Sequence, residues 1–361
     1  MLLPSRFARG QQTPVFRSSA LPETPLEPVR EYPKRSTVSL VHGEDRRKNA
    51  YEALMAIDHE IRPLLKRKKY VVIKPNLLTG RVPLAVTHAD ALRGILDYLA
   101  PRSKGPVVIA ESSARDTLEG YEVLGYNRLV SEYPSLRLSL VDLNREKRYE
   151  TIPLIDFDIH VSPVRLAARL FDPDAFIICS AVLKAHNFMV VTLSVKNMVL
   201  GAPPHSVEGE TPRWNEKRKY HVGVRAAHYN MFLTAQKMLP NWGVALIDGF
   251  EGMEGNGPAR GTPVPSRIAI ASTDFIAADR VGVEAMGVNP DWVGYIRYCW
   301  QNGLGQYDLS KIDVIGASLA AVRKPYRLHD DINLELQWMG PMKDLPPNLG
   351  FRRQIIPKIF A

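Results

Sequence analysis

Four short apolar runs in this chain stop abruptly at side chains able to do chemistry. YVVI gives way to Lys74, Pro75 and Asn76, PVVIA to Glu111 and Ser112, FIICSAVL to Lys184 and then His186, and VALI to Asp248. Taken singly, a lysine or aspartate after a strand is an ordinary solvated turn residue. Four such endings in one chain point to a shared site, because ligands of open α/β sheets bind outside the carboxyl ends of the strands. The stretch LSVKNMVLG adds Lys196 and Asn197 inside an apolar run, where an unpaired ammonium is costly to bury. Lys196 must either reach solvent along its stem or meet an anion in a cleft. Lys184 and His186, a few residues upstream, favour the cleft. His221 follows the basic run KRKY and completes a set of groups suited to holding an anion and moving protons. Lys74, Asn76, Glu111, Ser112, Lys196 and Asn197 are the expected substrate contacts. His186, His221 and Lys184 are the expected catalytic groups.

A second constellation is acidic. The segment DGFEGMEGNGPARG sets Asp248 and Glu254 among glycines that include Gly255, Gly257 and Gly261, and Asp279 lies downstream. Glycines let the backbone approach a ligand, but this pattern is neither a Walker loop nor a dinucleotide fingerprint. Its carboxylates would repel a bare phosphate. A divalent cation on Asp248, Glu254 and Asp279, bridging to an anion on the lysines, would reconcile the two sets, since hard oxygen ligands suit magnesium or manganese. The plainer alternative is a tight loop whose glycines only make turns. His228, in a helical stretch beside apolar residues, reads as a core histidine.

The elements needed to position these groups are legible in the periodicity. TVSLVH, YVVIKPN, PVVIAES and LRLSLVDL read as strands. EDRRKNAYEALMAIDHEIRPLL, THADALRGILDYLA and TLEGYEVLGYNRLVSEY read as helices, with Thr87 and Asp90 resembling a capping box. In the middle, TIPLI, VSPVRLAARLF and AFIICSAVL look like successive strands without room for helices, which predicts an antiparallel portion. The expected fold is α/β: a mainly parallel, doubly wound, Rossmann-like mixed sheet with helices on both faces. Residues 1–36, rich in proline, read as an extended or disordered N-terminal arm. Residues 37–317 form the α/β domain, and 318–361 a C-terminal extension.

Composition narrows the function classes. The 361 residues are 45% hydrophobic and 24% charged, ordinary values for a globular chain with a sizeable core. No apolar stretch approaches the length of a membrane span, so a soluble, cytoplasmic protein is expected. Cys179 and Cys299 stand far apart, which encodes neither a disulfide framework nor a thiolate cluster. The net charge of +9 steers anions, but no nucleic-acid-binding motif accompanies the basic clusters KRKK and KRK.

Together, KPNLL, THADALRGILDYL, AESS, LKAHNFMVVTLSVKNMVLG, LIDGFEGMEGNGPARG and ASTDFIAADRVGVEAMG resemble, in order, the blocks of domain-of-unknown-function family 362. The resemblance runs from about residue 37 to 317. The family's K-x-H falls on Lys184 and His186, and its T-L-x-x-K-N on Thr192, Leu193, Lys196 and Asn197. Its downstream histidine falls on His221. Its D-G and E-G-x-G-P-x-x-G fall on Asp248, Glu254, Gly255, Gly257, Pro258 and Gly261, and its T-D-x-x-A-x-D on Asp274 and Asp279. Many members also carry ferredoxin-type cysteine motifs, absent here, so no iron–sulfur cluster is expected on this chain. The resemblance implies one site but names no activity. The function expected is binding of a small carboxylate- or phosphate-bearing molecule, with a divalent metal as an optional cofactor. The alternative is a non-catalytic metal-binding or redox-accessory subunit that partners an iron–sulfur protein.

Overall fold

The computed structural model describes residues 32–205, 207, 209–210 and 215–339. Most of the N-terminal arm and the end of the C-terminal extension lie outside the described residues. Among the described residues, twelve strands follow in chain order: β1 (Ser36–His42), β2 (Tyr70–Pro75), β3 (Val107–Glu111), β4 (Leu138–Asp142), β5 (Tyr149–Ile155), β6 (Val161–Ala167), β7 (Ala175–His186), β8 (Val190–Thr192), β9 (Trp242–Glu254), β10 (Thr262–Val264), β11 (Ile268–Ser272) and β12 (Ile312–Gly316). The principal helices are α1 (Arg46–Ala56), α2 (Asp58–Leu65), α3 (Ala89–Leu99), α4 (Thr117–Val123), α5 (Tyr126–Glu132), α6 (Ser194–Leu200), α7 (Asn215–Arg218), α8 (Val224–Met238), α9 (Phe275–Ala285) and α10 (Gly294–Gln301).

The protein is α/β, built on one large, mixed, mostly parallel sheet in the order β12-β1-β11-β9-β7-β2-β3-β4. Only β11 opposes the common direction along that path. Strands such as Val107–Glu111 and Ile268–Ser272 are buried throughout, because apolar cores lie against both faces of the sheet. Val71, Ile73, Ile109 and Ile178 face one core, with Leu54, Leu92 and Tyr121 from α1, α3 and α4. Val72, Ile177, Ala245 and Ile270 face the other, with Val195, Met231 and Val281 from α6, α8 and α9.

Several local expectations change. The first long helix breaks at Ile57 into α1 and α2. The stretch after β3 breaks at Gly125, whose φ of +74 permits the turn between α4 and α5. Strands β5 and β6 do not join the main sheet but pair only with each other, so the antiparallel portion of the middle stands apart. The glycine-rich segment is half strand: β9 continues through Glu254 and pairs with β10. Thr87 does not cap α3. His88 does, accepting from the Asp90 amide through Nδ1 at 3.1 Å. The Thr87 hydroxyl instead donates to the Ser180 carbonyl at 2.7 Å and accepts from the Asn76 amide at 2.9 Å, tying the end of β2 to β7.

Beyond residue 317, the described chain packs on the main body: the Tyr326 amide donates to the Met286 carbonyl, and the Gly255 amide to the Arg327 carbonyl. Gly257 lies directly on β7, where a Cβ would fall 1.9 Å from the Ala185 carbonyl oxygen. That neighbour is backbone and cannot swing aside. Gly257→Ala is therefore expected to cost about 1–3 kcal/mol through overpacking. Urea denaturation checks the cost, and hydrogen exchange should place the loosening in β7 and β8.

Candidate functional site

Reading outward from β2, the chain adds β3 and β4 on one side and then returns to add β7 and β9 on the other. The strand order therefore reverses between β2 and β7. Lys74 and Lys184 stand near the carboxyl ends of these two strands and are buried at 0% and 1% exposure.

Lys74 is fully engaged. Its ammonium donates to Glu111 Oε2 at 2.8 Å, to the Pro75 carbonyl at 3.1 Å and to Asn197 Oδ1 at 3.3 Å. Glu111 is saturated in turn, accepting from the Leu77 and Ser112 amides. Glu111 thus acts as a counter-ion to Lys74 and as a brace for the strand ends. Gly201 makes room for Lys74, since a Cβ there would lie 2.0 Å from its Nζ. Asn197 also donates to Cys179 Sγ at 3.3 Å, and burial pushes that core thiol up to about 12.

Lys184 donates to the Ala85 carbonyl at 2.6 Å, and burial pushes its amine down to about 7 despite the Glu111 charge. Thr192 pairs opposite Lys184 across β7 and β8, with its hydroxyl buried and unpartnered among the described residues. Asn76 Oδ1 is also buried without a partner there. Lys217, from α7, donates to the Leu200 carbonyl at 2.8 Å and the Ser112 hydroxyl at 3.1 Å. Burial brings it down to about 7 as well. Ser112 Oγ reaches the Gly201 and Pro203 carbonyls, so its hydroxyl joins β3 to the segment after α6.

Lys196 differs from the other three. It is 7% exposed, and among the described residues its amine has no hydrogen-bond or ion-pair partner. Burial drives it far below the ordinary lysine range, and the charges of Lys184, Lys217 and Lys74 push it further down. It is carried on α6, whose first amides are held by Asp279: the Ser194 and Val195 amides donate to its carboxylate at 2.7 and 3.0 Å, and the Ser194 hydroxyl at 2.5 Å. Burial still raises Asp279 to about 7.

Both histidines lie within electrostatic reach of Lys196. His186 Nδ1 accepts from the Phe188 amide at 3.0 Å, which leaves Nε2 as the protonated nitrogen of a neutral ring. Burial, then Lys196 and Lys184, holds its pKa well below the usual range. His221 stacks on Phe188 with ring centres 5.6 Å apart, has Nδ1 2.9 Å from the Lys217 carbonyl, and is pushed by burial down to about 4. At the start of β8, Val190 adopts φ +65 with its amide on Glu335 Oε2. A β-branched residue in that region is strained by about 1–3 kcal/mol, a feature that concentrates at functional sites.

Hydrogen bonds link Lys74, Glu111 and Asn197, and Ser112 joins through Lys217. Lys184, His186 and His221 lie within electrostatic reach of Lys196, while Asn76, one residue past β2, is held through its amide on Thr87. The structure does not assemble the three expected metal carboxylates. Asp248 faces Arg46 at 3.3 Å and accepts from the Phe250 amide. Glu254 accepts from the Arg327 amide and Thr262, while Asp279, from α9, accepts from the Ser194 and Val195 amides at the start of α6. Among the described residues, no group of three or more histidine, cysteine, aspartate or glutamate side chains could share a metal ion. Gly255, Gly257 and Gly261 serve close approaches, to Arg327, the Ala185 carbonyl and the Glu254 carbonyl respectively. His228 is buried among Tyr295 and Trp338, with its pKa pushed down to about 3. A cavity of about 340 Å³ opens at the amino-terminal ends of β1 and β9, away from the lysines, lined in part by Ser36, Trp242 and Asp274. Ser36 there donates to Asp274 at 2.6 Å.

Lys217 is the residue that sequence reasoning missed. It sat in plain view in the basic run, four residues before His221, a spacing that brings one turn of helix back on itself.

A family model described as a domain of unknown function (DUF362) matches residues 71–284. The chain belongs to this family. The match contains every residue of the lysine cluster. A thylakoid-associated protein of Synechocystis is 29% identical over 227 residues, 61% of this chain and 64% of that relative's length. A crystal structure of a Thermotoga maritima protein aligns at 12% identity with a TM-score of 0.40, covering 62% of this chain and 55% of that one. No helix among the described residues is long and apolar enough to cross a membrane.

Folding must strip the proton from Lys196 and withdraw its amine from water at neutral pH, so removing that amine relieves the fold. Lys196→Met is expected to raise stability of the ligand-free protein by on the order of 1–4 kcal/mol at neutral pH. The pH dependence has a definite sign. Lys184 and Lys217 titrate near 7 when folded against an ordinary 10.5, so the unfolded chain holds more protons between those values. Wild-type stability should therefore gain on a Lys184→Met/Lys217→Met variant as pH rises from 7 towards 10.5, and lose that gain on the way back down. Thermal melts across that range check both statements.

Proposed function

We propose that the lysine cluster binds a small anionic molecule bearing a carboxylate or phosphate, and that His186 and His221 move protons on it. The observation that carries this reading is Lys196: a buried amine surrounded by three further lysines, with Glu111 already committed to Lys74. An arrangement so rich in one sign of charge is stabilised when an anion enters. Its place at a reversal of strand order suits that role, and a Rossmann-like, doubly wound reading of the sheet goes with it. The two histidines, held neutral by burial, are set up to accept or return a proton beside the bound anion. Asp248, Glu254 and Asp279 each have a separate partner, so the bound anion meets the lysines directly.

The thylakoid association of the Synechocystis relative, together with the net charge of +9, favours work beside an acidic membrane surface over a purely cytoplasmic location. The accessory-subunit alternative requires an iron–sulfur protein partner, which pull-down from the native host would recover.

Calorimetry with phosphate, citrate, pyruvate and 2-oxoglutarate, in buffers of different ionisation enthalpy, tests the anion site. Binding at pH 7 should take up roughly one proton, about half on each of Lys184 and Lys217, because an anion raises both amines from about 7. Affinity should weaken as pH rises above 7 and the empty site loses charge. Lys184→Met/Lys217→Met should bind at least about tenfold more weakly, a loss of about 1.4 kcal/mol. No binding of any of the four anions, or binding indifferent to the variant, removes the proposal.

A further inference from the structure

We propose that Lys196 is a nucleophilic amine that forms a Schiff base with the carbonyl of a small oxo-acid held in the site. This inference rests on the anion site and names its substrate class. The four lysines are not equivalent, and geometry separates them. Lys74 spends three donors on Glu111, Pro75 and Asn197. Lys184 and Lys217 are tethered to backbone carbonyls, Lys217 also to Ser112. Lys196, among the described residues, donates to nothing and faces no carboxylate. A buried amine next to other cations is the arrangement that makes a lysine nucleophilic at neutral pH, because its lone pair is free rather than protonated.

The surroundings fit each step. Lys184 and Lys217 supply positive charge for the substrate's carboxylate. The Lys196 nitrogen adds to the carbonyl carbon as the C=O π bond opens, giving a carbinolamine. The ammonium form of Lys217, about half populated near pH 7, protonates the departing hydroxyl, which leaves as water while the nitrogen lone pair closes the C=N bond and gives a protonated imine. Lys217 regains its proton from solvent, the imine nitrogen keeps its own, and hydrolysis runs the same steps backwards. Atoms and electrons balance with no oxidant or metal. A protonated imine draws electrons from neighbouring bonds, so the reaction class is proton abstraction or carbon–carbon cleavage next to the carbonyl. Groups facing Lys196 are Lys74 from β2, Lys184 and His186 from β7, and Lys217 and His221 from and just after α7.

The test is reductive trapping of full-length protein with sodium borohydride in the presence of pyruvate or 2-oxoglutarate. Mass spectrometry should find one reduced adduct per chain, mapped to Lys196. Lys196→Met and Lys196→Arg should each lose the adduct, the arginine variant keeping a cation while lacking the primary amine. Lys184→Met should lower trapping at least about tenfold at limiting oxo-acid by weakening carboxylate binding, with the adduct still on Lys196. If calorimetry shows an oxo-acid bound but no adduct forms, or the adduct maps to surface lysines at equal rate, the Schiff-base inference is overturned and the anion site stands. If phosphate or citrate binds and neither oxo-acid does, the substrate class is overturned alone. If none of the anions binds, both readings fall.

Discussion

Four lysine amines packed at one edge of a sheet, with Glu111 already committed to one of them, form the constraint around which the rest of this protein is arranged. Burying like charges opposes folding, and the cost grows as water is withdrawn. The apolar cores on both faces of the sheet must offset it. Such a cluster persists in a fold only where the structure over-determines it, and local strain at Val190 in the same hairpin fits that pattern.

The over-determination is visible in small features with a shared consequence. Asp279 fixes the start of α6 and so aims Lys196, while Asn197 on the same turn reaches Lys74 and Cys179. Gly201 leaves space for the Lys74 amine, and Gly257 lets a loop lie flat on β7 beside His186. Thr87 stitches β2 to β7 at the reversal of strand order. These contacts fix the backbone and side chains around the lysines. The protein's chemistry is therefore inseparable from its backbone geometry, and residues far from any ligand act by positioning those that meet it.

Much of this was readable from residue types. The abrupt change from apolar runs to Lys74, Glu111 and Lys184 marks strand ends because a buried parallel strand must be apolar until it leaves the sheet. Lys196 could be singled out because an ammonium in an apolar run needs an explanation. Other features depend on contacts that no local pattern encodes. Thr87 carried a helix-start signature, yet a long-range carbonyl at Ser180 won its hydroxyl. The acidic residues looked like one metal set by composition, but Arg46, Arg327 and the α6 amides each claimed a different one. Lys217 was hidden because a basic run usually means a solvated face, and only the tertiary fold buries one member of it.

The central claim is that the site's amines are held away from their ordinary protonation by burial and mutual repulsion, ready for an anion. An NMR titration of the lysine side chains measures this most directly. The account predicts that Lys184 and Lys217 titrate near 7 in the free protein, with Lys196 far below the ordinary range, and that a bound anion moves Lys184 and Lys217 upward. Finding all three near 10.5 and indifferent to added anions would contradict it.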